Sequence, residues 1–116
     1  MNRKLITLTL ALIFTLGMGF NALAADGPQG NKRKGKYTYR KVVKACYQRG
    51  GVESATPSVS PSSKKMAEWQ AVFENRELGE FGCGEEWEAL SDKDYMDIYS
   101  YFYHFAADSS TPATCK

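Results

Sequence analysis

The chain has one histidine, His104, among 116 residues. That scarcity excludes His-rich metal centres and leaves little from which to build a His-based catalytic constellation. Cysteine is almost as rare, with three. No stretch alternates apolar and polar residues as a half-buried strand does, and no segment repeats. The length excludes two-domain architectures, dinucleotide-binding folds, barrel enzymes and kinases, and leaves one small domain. Glu85, Glu86 and Glu88 crowd one short segment, as the acids of a solvated face do. Hydrolytic chemistry is therefore not expected, and the chain is read as a non-enzyme.

Charge is missing from Leu5 to Phe20, an apolar run of 16 residues behind Arg3 and Lys4. A membrane span needs ~20 such residues, and here a small-residue site, Ala22-Leu23-Ala24, follows the run. Residues 1–24 are expected to be a signal peptide cut before Ala25, with an uncleaved anchor as the alternative. No cysteine follows the site, so no lipid anchor is expected. The mature product would be periplasmic or secreted and would not span a membrane.

Without Arg3 and Lys4, thirteen cations face thirteen acids, but the two signs are segregated. Residues 26–50 hold eight Lys or Arg and only Asp26; residues 66–108 hold eleven acids and only Arg76 and Lys93. Such a dipole is either satisfied inside the fold or steers a partner to one face. Nucleic acid is not the expected partner of an exported, overall neutral chain. Contact of the Lys32-Arg33-Lys34-x-Lys36 run with an anionic surface fits better.

The order of elements reads as all-α. After a flexible lead-in at 25–34, the domain is placed at 35–116, with the first helix starting near Lys32 and running to Arg49. Tyr39, Val42, Val43 and Cys46 share one helical face, and Gly50-Gly51 ends the helix. A Ser- and Pro-rich loop (52–63) precedes a second helix from about Ser62, with Met66, Trp69, Val72 and Phe73 as its buried stripe, ending before Gly79. A short helical piece spans Glu85 to Leu90. Ser91 and Asp94 form a capping box for the last helix, whose stripe is Tyr95, Ile98, Phe102 and Phe105.

An exported chain favours disulfides, and three thiols leave one over. Cys83 precedes the last helix and Cys115 follows it, so Cys83–Cys115 is the expected bridge and Cys46 the odd thiol. Cys46 paired with either of them, or bridging two chains, is the alternative.

The stretch Gly35 to Gly51, with Gly35-x-x-x-Tyr39, resembles the N-terminal helix of small periplasmic class I c-type cytochromes, which runs into C-x-x-C-H. Leu90 to Tyr101 is similar to that family's capped C-terminal helix, and the likeness extends from Lys34 to about Tyr103. It implies a cytochrome-c-like fold in which the first helix packs across the last. It also places the haem-linking cysteines on Val43 and Cys46 and the axial histidine on Tyr47, so the motif reads V-K-A-C-Y. One thioether sulfur and the imidazole are missing. Residues 79–90 contain no Met for the distal position. His104, Met66 and Met96 remain as weak axial candidates, with Met66 better read as core filler and His104 as a boundary residue. No cofactor is expected; haem held by Cys46 alone, or non-covalently with Tyr47 or His104 on iron, is the alternative.

A haem-free descendant must fill its centre. Tyr39, Tyr47, Trp69, Phe73, Trp87, Tyr95, Phe102 and Phe105 are the rings expected to do so, unless they line a retained pocket. The implied role is binding, as an accessory to an exported electron-transfer system. Lys36, Arg40, Lys41 and Lys44 would dock a periplasmic or extracellular protein, such as a cytochrome. The alternative is an electron carrier.

Overall fold

The computed structural model describes residues 27–114. The expected signal peptide and Cys115 lie outside the described residues. Within them the chain is all-helical: α1 (Lys32–Gln48), α2 (Met66–Glu74), α3 (Gly84–Glu88) and α4 (Asp92–His104), with 3-10 turns at Pro61–Ser63 and Gly79–Phe81.

α1 forms where its periodicity places it. Asn31 caps it through a bond from the Lys34 N–H, and Tyr39, Val42, Val43 and Cys46 are buried on one face. It ends as expected: Gly50 takes a positive φ of 84°. There the Gly50 N–H bonds to the Tyr47 carbonyl and the Gly51 N–H to the Cys46 carbonyl, the paired bonds of a Schellman ending.

α2 starts later than expected. Pro61–Ser63 forms its own 3-10 turn, and Lys64 is extended (φ −139°, ψ 163°), which separates that turn from the helix. Asp108, from beyond α4, accepts the Met66 N–H at 2.7 Å, and Glu68 accepts the Lys65 N–H. α2 also closes with a Schellman pair, Arg76 N–H to Phe73 O and Glu77 N–H to Val72 O. Its left-handed residue is Arg76 (φ 52°), not a glycine. The guanidinium of Arg76 lies 4.1 Å from the Tyr95 ring centroid, a cation–π contact that offsets part of the backbone cost.

At α4, the Ser91 hydroxyl accepts the Asp94 N–H at 3.1 Å. Tyr95, Ile98 and Phe102 are buried as expected. Phe105 is half-buried, and Ala106 takes the core position beside it. The helix has already ended at His104, so the 3.6-residue spacing no longer governs Phe105.

α1 packs on α4, and α2 and α3 close the other sides. The approach of α1 to α4 is tightest at Gly35, where a side-chain carbon would collide with the backbone of Asp97 and Ile98. A strap ahead of α1 follows α4: the Gly30 N–H bonds to Ser100 Oγ (2.7 Å) and the Asn31 N–H to Asp97 Oδ1 (2.8 Å).

The core is aromatic. Tyr39, Trp69, Phe73, Phe81, Trp87, Tyr95, Tyr99 and Phe102 form one cluster with Val42, Val43, Cys46 and Ile98. Phe73 stacks on Tyr99 (5.1 Å, 6° between planes), while Tyr39 and Trp69 meet Phe102 edge-on. Offset and edge-on pairs follow from ring quadrupoles, at about 0.5–1.5 kcal/mol each beyond burial. Polar tips are spent on backbone carbonyls: Trp69 Nε1–H on Pro61 O, Tyr95 O–H on Phe73 O and Tyr39 O–H on Val59 O. These bonds pin the Ser/Pro loop and the end of α2 to the core. Six of the eight rings expected to fill the centre do so. Tyr47 is 46% exposed and Phe105 sits at the margin; Phe81 and Tyr99 take part in their place.

Candidate functional site

Two regions bear on function: the C-terminal end of α1 and its outward face. At the first, Cys46 is fully buried and disulfide-bonded to Cys83, with Cα atoms 5.5 Å apart. This corrects the expected Cys83–Cys115 bridge. Proximity decides it: the buried face of α1 carries Cys46 directly to the connector that holds Cys83. Cys83 adopts a left-handed conformation (φ 58°) as the residue before α3.

Arg49 covers the bridge. Its guanidinium grips Glu86 with two bonds (2.8 and 2.9 Å) and lies 3.9 Å from Cys46 Sγ. Hydrogen bonding to Arg49 holds the Glu86 carboxyl below the usual carboxylate range. Cys46, Cys83 and Glu86 place ligand-type atoms within 4.8 Å of one another. Both sulfurs are bonded to each other and the carboxylate is taken, so this set does not offer metal-ligand chemistry as it stands.

The residues present do not fit a covalently held haem. Val43 has no sulfur, Cys46 has spent its own, and Tyr47 lies on the outer side of α1. The weak axial candidates are dispersed. His104 is half-buried at the far end of α4, with Nε2 3.3 Å from the Pro28 carbonyl oxygen. That contact is near the start of α1, whereas Cys46 is 14 residues after Lys32, or ~21 Å along the helix axis. Met66 is half-buried at the start of α2, as core filler would be, and Met96 is 40% exposed. No single iron position is shared by Cys46, Tyr47 and His104.

Two open grooves flank the core. One, about 360 Å³, runs beneath the Ser/Pro loop past Tyr39, Val43, Val59 and Cys83. The other, about 390 Å³, lies between Arg76, Leu78 and Trp87. Trp87 Nε1 is buried without a hydrogen-bond partner among the described residues.

The second region is the outward face of α1. Lys36, Arg40, Lys41 and Lys44 are all exposed there, together with Arg33 and Lys34. Among the described residues, the ion pairs join Arg49 to Glu85 and Glu86, Lys64 to Glu80 and Arg76 to Asp92. None involves these six cations. The charge segregation legible in the sequence is thus left largely unsatisfied by α1. The sequence also placed Tyr39 and Cys46 correctly in the core, but missed Arg49 and Glu86, whose pairing joins separate elements and leaves no local spacing to read. No protein family, curated protein or solved structure matches the chain.

Proposed function

We propose that this is an exported, cytochrome-c-like domain without haem, acting as a binding or accessory protein of an electron-transfer system. The observation that carries the reading is the fate of Cys46. It is the one thiol left in the V-K-A-C-Y remnant, and it is buried and joined to Cys83. The close seating of Gly35 on α4, within the Gly35-x-x-x-Tyr39 pattern, supports the ancestry. The aromatic cluster supports the loss of haem, since its rings occupy the space between α1, α2 and α4. Binding rather than chemistry is favoured because α1 presents six exposed cations without ion pairs among the described residues, while the bridge and its guard are closed.

The test is an absorbance scan with intact mass spectrometry on protein purified from the periplasm. The expected result is a featureless visible spectrum and a mass without porphyrin. A Soret band would overturn the reading; one that survives denaturation would mean covalent haem and an electron carrier.

A further inference from the structure

We propose that the outward face of α1 is a docking surface for the anionic headgroups of a phospholipid membrane. This deepens the binding reading by naming what the face binds. α1 is a single helix of 17 residues, ~25 Å long. Arg33, Lys34, Lys36, Arg40, Lys41 and Lys44 are exposed along it and lack ion pairs among the described residues. Tyr37, 62% exposed, is centred among them, four residues after Arg33, three before Arg40 and four before Lys41.

The chemistry of the face selects lipid over a folded protein. A specific protein interface needs an apolar core that is emptied of water. Among the described residues the large exposed apolar side chains are Tyr37 and Tyr47 on α1 and Met96 elsewhere, too few to form one. What α1 offers is a row of cations on long stems with tyrosine between them. Those stems reach a charged plane without a fixed partner geometry, and a tyrosine ring sits well at headgroup depth. The buried stripe of α1 turns toward the elements that carry the acids, so attraction by a negative plane orients the molecule with α1 facing it.

The experiment is co-sedimentation of the purified, oxidised protein with vesicles of phosphatidylcholine alone and of phosphatidylcholine containing phosphatidylglycerol. Binding is expected only with phosphatidylglycerol, and is expected to be lost in ~1 M NaCl, where the screening length is ~3 Å. Lys41→Gln and Lys44→Gln should each lower the partition constant about fivefold. Glu74→Gln on α2 should not lower it. Gln keeps the helix propensity of Lys, and far-UV circular dichroism confirms that the variants fold.

Equal binding to both vesicle types, no binding at low salt, or lysine variants that bind like the parent would each overturn the proposal. So would low-salt self-association that the same variants abolish, which gives the face to a second copy. Salt-sensitive capture of an acidic protein with no vesicle binding would also overturn it. A vesicle failure beside a featureless visible spectrum leaves the haem-free reading standing; a Soret band beside vesicle binding removes that reading alone.

Discussion

Gly35 lies against the backbone of Asp97, so closely that α1 has no room for a side chain there. Gly35→Ala must therefore push α1 from α4. Alanine would raise intrinsic helix stability by ~1 kcal/mol, but overpacking costs about 1–3 kcal/mol. A net loss, read as a lower urea midpoint, is expected. Gly79→Ala, with open space around it, is the control and should leave the midpoint in place. A Gly35→Ala protein as stable as its parent would mean that the helices are not held at this distance.

Asp97 is 3% exposed, and its Oδ1 accepts the Asn31 N–H at the start of α1. A carboxylate at that position also favours the positive end of the helix dipole. Asp97→Ala is expected to cost about 1.5–3 kcal/mol, and Asp97→Asn less, because an amide oxygen still accepts. Equal losses for the two would show that the bond to Asn31 contributes nothing.

The bridge makes a mapping prediction. Digestion of unreduced protein should release one linked peptide pair containing Cys46 and Cys83, and alkylation should mark Cys115. Cys46→Ser or Cys83→Ser should destabilise by about 4 kcal/mol, from the 37-residue separation and the chain-entropy relation. A Cys83–Cys115 peptide would restore the pairing expected from the sequence.

Alkali should unfold the protein through its tyrosines. Burial pushes Tyr99 up to about 12, with Glu74, Tyr103 and Tyr95 adding to it. Tyr39, Tyr95 and Tyr101 are raised in the same direction, each chiefly by burial. Unfolded tyrosine ionises near ~10, so the folded state holds these protons longer. Their contribution is fully present below about pH 10 and is lost as the pH rises toward about 12. Near-UV circular dichroism should collapse in that window together with the rise of tyrosinate absorbance. Full tyrosinate absorbance with the near-UV signal intact would contradict the burial of these rings.

What was legible in the sequence was what repeats along one helix. Tyr39, Val42, Val43 and Cys46 announced the buried face of α1, Gly50 its end, and Ser91 the start of α4. What was hidden depends on packing between elements. Phe81 stands in a glycine-rich connector with no period to mark it. Cys83 reaches Cys46 only because that connector turns under α1. Tyr99 follows Tyr95 by one helical turn and was within reach of the pattern, but it lies off the stripe that runs to Phe105. Arg76 ends α2 in a conformation usually given to glycine, so the next glycine, Gly79, marked that stop only loosely. The cations of α1 were visible as charge, yet only the structure shows that Lys32 to Lys44 form no ion pair among the described residues.

The bond between Cys46 and Cys83 closes a ring around the Ser/Pro loop and all of α2, while α4 stands outside it. A protease that nicks residues 52–60 would therefore leave two fragments travelling together until a thiol reagent parts them. Such a scar would stay invisible on a gel run without reductant, and the molecule would tolerate a severed backbone in a loop whose residues 53–56 are exposed.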